Sequence, residues 1–404
     1  MSVVTLNNND VADVLKAAIK QATGSEAVDS LDLSGIVDLG NDDTIIGSRE
    51  QFTKALINVL MKNWFTDSKY RTQYFDPFFQ DSDKFGAIVQ AISIEVPEVQ
   101  EASNWKDFGP DTAHGQTATV GVYTIHLPQI ATNYFGKSVS WSIPITITGS
   151  QWDTAFNSED EIRTFVAYIL MCIDNAIIIH LEDMDNANRN NFMGEKIHYA
   201  GTVGAAGVHK VNLVEPYVKE MGDPTKDYTV EQYLANVNAM RHGSEKLRLF
   251  KKYFGKMSRK YNIGGKLRFT PDERMVLQVL TFFDERMATV ALSDTYHKEL
   301  VEMPKFQSVP YWQGIGTGDD DFDEISKIVI KTASGDTVEQ SGIVAFLCDQ
   351  WAVLHTIKEK RVGVQNFNIE DLTLYEYQFR DMYMNDLSMN AIVFTLEDYI
   401  APTP

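Results

Sequence analysis

The chain has 404 residues, of which 44% are hydrophobic and 23% are charged, a composition typical of a folded globular protein. Its 56 acidic residues outnumber its 36 basic residues, so the net charge at pH 7 is −20. Proteins that hold DNA or anionic membranes through charge need a basic surface, so this balance disfavours repressors, polymerase clamps and polybasic membrane binders. The length predicts roughly two to three domains.

No targeting or secretion signal is visible in the chain. Only two cysteines, Cys172 and Cys348, are present; both lie in apolar runs typical of core positions, and a disulfide-stapled secreted domain would carry more. Residues 1–10 lack the charged and apolar regions of a signal peptide. The longest apolar stretch, 165–181, is interrupted by polar residues and is short for a membrane span. We therefore expect a soluble protein made in a cytoplasm.

The first 84 residues predict an arm rather than a core. Asp10 suits the N-cap of a first helix, and Ser48 with Gln51 forms a capping-box pattern before a second helix. The segment that links them, 23–47, is rich in Gly, Ser and Asp. Two short helices joined in this way predict an extended N-terminal helical arm.

The hydrophobic pattern then changes from helical to alternating. Apolar and polar residues alternate over 92–96, 122–127 and 139–147, and the last of these is the clearest strand pattern in the chain. Proline cannot donate a hydrogen bond to a neighbouring strand, so Pro144 predicts a strand at a sheet edge or one that carries a bulge. A long polar connection, 97–116, separates the first two strands, and a connection of that length is usually functional or mobile.

A long helix is predicted next. Ser158 and Glu161 form a capping box, and apolar residues then recur at helical spacing as far as Met184. A helix over 159–184 would be about 40 Å long. Its opposite side is also largely apolar, so neighbouring elements must cover it on more than one side. The segment 186–228, rich in Gly, Asn and Asp, predicts a boundary after this spine helix.

The second half of the chain mixes helices and strands. Thr229 with Gln232 begins a capped helix that is expected to stop at Gly243, and a basic stretch, 246–268, follows. The remaining predicted elements are strands near 276–280, 326–332, 343–348 and 351–357, a helix over 283–303, and an aromatic strand through Tyr375, Tyr377 and Phe379 with 391–396 as its expected partner. There is no βαβ rhythm and no internal repeat, so the predicted class is α+β.

No catalytic, metal or nucleotide motif is complete. The sequence Gly-Lys-Ser at 136–138 has Ala131 where a phosphate-binding loop needs its first glycine, and the glycines of 314–318 lack a strand–turn–helix context. The acidic run 319–324 lacks the glycine of an EF-hand loop and is more simply a solvated charge run. His180 has no i, i+4 partner for a metal pair. We therefore expect no enzyme activity, no cofactor and no metal.

The basic stretch 246–268 leaves two interpretations open. Aromatic residues lie among its cations, so it suits contact with nucleic acid or with an acidic partner. The simpler interpretation is a basic helix face that pairs with the acidic surface of the protein itself.

Three segments, taken in order, resemble a known family. Residues 138–184 run from a strand into the spine helix, 342–357 contain a strand–Asp–x–Trp–strand unit, and 374–396 hold an aromatic strand followed by an Asn-Ala-Ile run. Their content and order resemble the major capsid proteins of tailed bacteriophages with the Hong Kong 97 type of fold, closest to the phi-29-like group of small podoviruses of Gram-positive hosts. The resemblance covers residues 85–404.

The resemblance implies a division of the chain into the parts of that fold. The expected parts are an N-terminal helical arm, 1–84; an extended loop (E-loop) with flanking strands, 85–148; a peripheral (P) domain, 149–225 and 346–404, with the spine helix near 159–185; and an axial (A) domain, 226–345. The loop tip, 97–118, is expected to lie over a neighbouring subunit, which makes Trp105, Lys106 and Phe108 candidate assembly contacts. Lys106 alone does not establish the covalent cross-link of some family members.

The resemblance also implies a function. We expect a structural major capsid protein that assembles with itself, as pentamers and hexamers, into an icosahedral or prolate shell around double-stranded DNA without sequence-specific binding. A separate scaffolding protein and a portal are the expected partners, and assembly in the host bacterial cytoplasm precedes residence in the virion capsid. Two alternatives stay open: an encapsulin-like compartment shell, and a soluble α+β enzyme with a carboxylate site.

Overall fold

The structure is a computed structural model of the chain. It describes residues 16, 78, 89–94, 130–136, 138–148, 159–204, 207–292, 306–313, 321–367 and 372–402. The predicted arm lies outside the described residues except at Lys16, which is helical, and Phe78, which is buried in the main core. The predicted loop tip, 97–118, and the predicted strand at 122–127 also lie outside them.

The described elements alternate between helices and strands. In chain order they are β1 (Val89–Ile94), β2 (Ile130–Phe135), β3 (Val139–Thr148), α1 (Glu159–Val203), β4 (Lys210–Asn212), α2 (Val214–Met221), α3 (Val230–Ala235), α4 (Val237–Phe254), β5 (Met275–Leu280), α5 (Thr281–Leu292), β6 (Gln307–Val309), α6 (Phe322–Ile325), β7 (Ile328–Lys331), β8 (Thr337–Gln340), β9 (Ile343–Asp349), β10 (Val353–Phe367), β11 (Leu372–Asn385) and β12 (Ala391–Thr395). The strands predicted at 139–147, 276–280, 326–332, 343–348 and 351–357 are confirmed as β3, β5, β7, β9 and β10. The strand predicted at 92–96 is confirmed as β1 for its described part, which ends at Ile94.

Helix α1 is longer than its sequence pattern predicts. It has 45 residues and is therefore about 68 Å long. The predicted boundary at 186–228 is wrong for the residues up to Val203. The polar side chains that predicted a boundary, including those of Arg189 and Lys196, are buried inside the fold and continue the helix.

A three-stranded antiparallel sheet packs against the first half of α1. Its order is β10-β11-β3, and the alternate side chains Tyr375, Tyr377 and Phe379 of β11 are buried against Ile173 and Ile177 of the helix. Among the described strands β3 pairs only with β11, so within that part of the chain it lies at the edge of the sheet. The predicted edge position is confirmed for the described strands.

A five-stranded mixed sheet forms the larger core, in the order β4-β12-β9-β5-β6. Strands β9 and β12 are buried along their whole length because helices cover both faces of the sheet. On one face Phe346 of β9 meets Phe192 of α1, with ring centroids 6.0 Å apart. On the other face Phe394 of β12 meets Phe250 of α4 at 5.4 Å. The sheet is therefore sandwiched between α1 and α4.

The predicted partner of the aromatic strand is wrong. Strand β11 pairs with β10 and β3, whereas β12 pairs in parallel with β4 and antiparallel with β9. Between β11 and β12, a turn closed by a hydrogen bond from the Met389 N–H to the Asp386 carbonyl takes the chain from one sheet to the other. Adjacency in sequence therefore does not give adjacency in the sheet here.

The capping box at Thr229 and Gln232 is confirmed, but the helix end predicted at Gly243 is wrong. The first helix, α3, stops at Asn236, whose side-chain oxygen accepts from the Asn238 N–H at 2.9 Å and so caps α4. Gly243 lies inside α4, where a Cβ would stand 2.7 Å from the hydroxyl of Tyr233. The glycine permits close packing rather than ending a helix.

Gly194 marks the close approach of α1 to the β7–β8 hairpin. A Cβ at this position would overlap Cγ1 and Cδ1 of the buried Ile330, whereas nothing lies within 4 Å of a Cβ placed at Gly201 of the same helix. We expect Gly194→Ala to lower the free energy of unfolding by about 1–3 kcal/mol through overpacking, although alanine favours a helix by about 1 kcal/mol. Urea unfolding of the full chain measures the change.

The matched control for that variant is Gly201→Ala, which gains the helix preference without a clash and should leave stability unchanged or raise it by up to about 1 kcal/mol. Equal effects of the two substitutions would contradict the close packing of α1 on the hairpin.

Candidate functional site

Lys196 of α1 is fully buried and uses all three of its ammonium donors. Its Nζ donates to the backbone carbonyls of Tyr261 at 3.3 Å, Leu387 at 3.2 Å and Met389 at 3.1 Å. Burial lowers the pKa of Lys196 to about 7, against the opposing effect of Asp386. The side chain thereby holds the turn between β11 and β12, and the segment after α4, against the helix.

Arg189, also fully buried, fixes the segment that precedes α6. Its Nη2 donates to Asn186 Oδ1 at 2.6 Å and to the Trp312 carbonyl at 3.2 Å, and its guanidinium lies 4.8 Å from the centre of the Trp312 ring. The same carbonyl accepts from Asn190. The Trp312 indole in turn donates to the Ile343 carbonyl at 2.7 Å, so helix, tryptophan and β9 form one buried network.

A third buried group, which we call the histidine hub, joins α1 to the three-stranded sheet. His355 Nδ1 lies 3.0 Å from Asp185 Oδ1 of α1, and its Nε2 lies 3.7 Å from Asp381 Oδ2 of β11. Trp141 of β3 donates to the same Asp381 oxygen at 2.6 Å, and the Tyr383 ring stacks on the imidazole. Burial disfavours protonation, but the two carboxylates outweigh it and raise the pKa of His355 above its usual 6.5.

The antiparallel pair β1–β2, here called the ribbon, has two faces of different character. Its inner face contacts the body, where Asn133 donates to Asp386 Oδ1 at 3.2 Å and Ser93 Oγ accepts from Lys266 at 3.0 Å. The alternate positions form the outer face, on which Ile92, Ile130 and Tyr134 are 62%, 62% and 66% exposed. A two-stranded ribbon is marginal alone, and contiguous exposed apolar side chains mark interaction sites. This outer face is the candidate assembly surface.

The candidate contacts Trp105, Lys106 and Phe108 lie outside the described residues, and so does the glycine turn at 314–318. His180 packs against the Trp141 ring, with centroids 4.3 Å apart. Cys348 is buried in β9, and burial raises the pKa of its thiol well above the usual value.

Within the described ranges, no group of three or more His, Cys, Asp or Glu side chains is placed to hold a metal ion. Of the helices in that part of the chain, none combines the length and apolar character that a membrane span requires. A shallow depression over the three-stranded sheet is lined in part by Glu359, whose carboxylate pairs with Arg361 at 2.6 Å and Arg380 at 3.6 Å.

The sequence profile of one family, the Phi29-like phage major capsid proteins, matches residues 13–395. The chain belongs to this family. The match covers nearly the whole sequence, and the α+β fold is accordingly that of the Hong Kong 97 type. Direct comparison with curated proteins finds no match.

Solved phage capsid structures resemble this major capsid protein at low sequence identity. The capsid structure of Staphylococcus phage Andhra is 11% identical, with a TM-score of 0.45 over 81% of this chain and 84% of the other. A structure of native bacteriophage P68, described for its head fiber and inner core protein gp22, is 11% identical with a TM-score of 0.45 over 80% and 85%. The capsid of cyanophage P-SCSP1u is 10% identical with a TM-score of 0.40 over 81% and 90%. At these values the family assignment rests on the profile.

Membership in the family assigns a structural role: the protein is a phage major capsid protein that assembles with itself into the shell of the virion. This assignment favours a phage head over an encapsulin-like compartment and over the carboxylate enzyme. The geometry agrees with a structural subunit. The buried polar groups of the protein connect its helices and strands, and its exposed apolar face lies on the ribbon.

The sequence interpretation missed the buried polar groups of α1, although a signal for them was present. Apolar residues continue at helical spacing past Met184 through Phe192, Met193 and Ile197. The intervening Asn and Arg residues give this segment the polar composition of a loop, although its apolar residues keep the spacing of a helix. Their partners are distant carbonyls and carboxylates, which no local pattern reveals.

The histidine hub predicts a large and pH-dependent effect of His355→Ala. The substitution leaves Asp185 and Asp381 facing each other in a buried site, so we expect a loss of about 3–5 kcal/mol in the free energy of unfolding. Because the folded-state pKa of His355 is raised, its contribution is complete below about pH 6.5 and is lost as the pH rises through that folded-state value. Unfolding in urea across this pH range measures both effects.

The control is His198→Ala. His198 pairs with Asp336 at the surface, at 3.6 Å, where such pairs contribute about 0–1 kcal/mol. A His355 variant as mild as this control would contradict the hub.

Proposed function

We propose that this phage major capsid protein forms pentamers and hexamers in an icosahedral or prolate shell around double-stranded DNA, and that the outer face of the ribbon is a principal contact between subunits. The single observation that supports this most is the exposure of Ile92, Ile130 and Tyr134 on a ribbon whose other face is attached to the body. Covering those side chains with a second copy removes apolar surface from water.

The loop between the ribbon strands extends the same contact. Residues 97–118 follow β1 and precede β2, so the tip is connected to the ribbon at both ends. We propose that Trp105, Lys106 and Phe108 contact the neighbouring subunit. Ordering an irregular segment costs about 1–2 kcal/mol per residue, which burial against a neighbour offsets.

The charge of the chain suits a container for DNA. A net charge of −20 repels phosphates, so the shell encloses the genome without sequence-specific binding and without fixing it to the wall. A separate scaffolding protein and a portal take part in assembly, which occurs in the cytoplasm of the host bacterium, and the virus is a small podovirus.

The division into peripheral and axial domains follows the two sheets. The peripheral domain comprises α1 with the three-stranded sheet, and the axial domain comprises the five-stranded sheet with α2 to α5. This division moves residues 207–225, 346–349 and 386–402 from the expected peripheral segment into the axial one, because β4, β9 and β12 pair within the larger sheet. Residues 1–84 form the N-terminal arm.

Charged substitutions on the outer face test the ribbon contact. We expect Ile92→Asp with Tyr134→Asp to leave the subunit folded, since both side chains are exposed, and to abolish shells because the contact would bury unpaired charge. Negative-stain microscopy and sedimentation measure assembly, and circular dichroism measures folding. Ile92→Val with Tyr134→Phe keeps the apolar face and should assemble normally. Normal shells from the double Asp variant would refute the contact.

Deletion of residues 100–114 tests the loop tip separately. We expect a folded subunit that does not form stable shells, because the contact over the neighbouring subunit is lost while the ribbon remains. Co-expression with a scaffolding partner, followed by sedimentation, gives the result. Particles of normal yield and stability would exclude the tip from assembly, and a monomer of the unmodified chain under the same conditions would exclude the shell itself.

A further inference from the structure

The segment after α4 presents an exposed apolar surface. An antiparallel bridge joins Ser258 to Arg268, which sets Met257 opposite Phe269, and both of these side chains are exposed. Tyr253, in the last turn of α4, is exposed as well, and the Thr270 N–H donates to the Phe254 carbonyl. The three exposed residues therefore belong to one compact piece of surface.

Three exposed lysines belong to the same segment. Lys252, Lys256 and Lys260 form no ion pair with any residue of the described part of the chain. Lys246, two turns earlier on α4, differs because it binds Glu220 at 2.6 Å. The basic stretch thus contains one lysine that pairs with an acidic side chain of the same subunit and three lysines that pair with none in the described part of the chain. We call Tyr253, Met257 and Phe269, together with these three lysines, the basic patch.

The basic patch and the described part of the acidic run, 321–324, lie at opposite ends of the five-stranded sheet. The patch segment is attached to the last residue of β9, since Thr270 Oγ1 donates to Asp349 Oδ2 at 3.1 Å. The described part of the run belongs to α6 and its N-cap, and Ser326, which follows this helix, accepts from the Ile343 N–H of the first residue of β9 at 3.1 Å. Seven residues at about 3.3 Å each separate these ends by about 20 Å, so the two surfaces do not pair within one subunit.

We propose that the basic patch of one subunit docks against the acidic run of a neighbouring subunit. The proposal rests on the proposed function, because it requires subunits that assemble. The run holds five carboxylates in six residues, and Asp321, Asp323 and Glu324 among them are exposed. Opposite charges at opposite ends of one sheet give a head-to-tail contact, the type of contact that generates closed rings.

A neighbouring subunit suits this patch better than DNA does. The patch is a local excess of positive charge on a chain of net charge −20, so a long polyanion would meet repulsion beyond the patch itself. A short acidic segment meets only the patch. The exposed apolar side chains of the patch suit the water-excluded core of a protein interface. Contacts between lysine and phosphate do not need such a core.

Charge reversal and its compensation test the contact. The lysine reversal is Lys252→Glu, Lys256→Glu and Lys260→Glu, and the acid reversal is Asp319→Lys, Asp320→Lys and Asp323→Lys. Each reversal alone should raise the critical concentration for assembly of the full chain about tenfold or more, and high salt should weaken assembly of the unmodified chain. A chain with both reversals restores opposite charges and should assemble within about threefold of the unmodified chain.

Substitution of the same three lysines by arginine keeps the charge and should leave assembly unchanged. If the chain with both reversals assembles no better than either single reversal, the contact is refuted while the shell function stands. If the lysine reversal assembles normally but its particles lose DNA, the patch contacts nucleic acid and the proposal is overturned. Failure of the unmodified chain to assemble under any condition would overturn the proposed function and this contact with it.

Discussion

The burial of one helix against two different sheets is the constraint on which the rest of the structure depends. Helix α1 packs on the three-stranded sheet with its first half and on the five-stranded sheet with its second half. A helix covered on several sides has little water for its polar groups, so each must find a partner inside the protein. Asp185, Arg189 and Lys196 meet this requirement, and their partners lie on the elements that α1 must hold.

A rigid connection between the sheets is what a shell subunit needs. Contacts in a closed shell are head-to-tail, so two different surfaces of each subunit must keep a fixed relation to each other. The ribbon is attached through Asn133 to the turn that Lys196 also holds, and the acidic run adjoins the segment that Arg189 holds. The buried network therefore fixes the positions from which the proposed contacts are made.

The net charge of the chain and the charge of its basic patch relate to two different interactions of the shell protein. A strongly acidic chain does not attract DNA, which suits the proposed function of a shell around a DNA genome. The basic patch is small and combines lysines with exposed apolar side chains, which is the composition of a protein contact. A net charge thus describes the protein as a whole, whereas the position of a few lysines decides what a particular surface binds.

The sequence by itself determined the elements whose patterns are local. It predicted the edge strand at Pro144, the aromatic alternation of β11, the start of α1, the capping box at Thr229 and the α+β class, because spacing and capping act over a few residues. Only the tertiary structure decided where α1 ends, which strand pairs with β11 and why Gly243 lies inside a helix. These features depend on partners far away in sequence, since strand pairing, buried polar groups and close packing are satisfied by contacts that no local window contains.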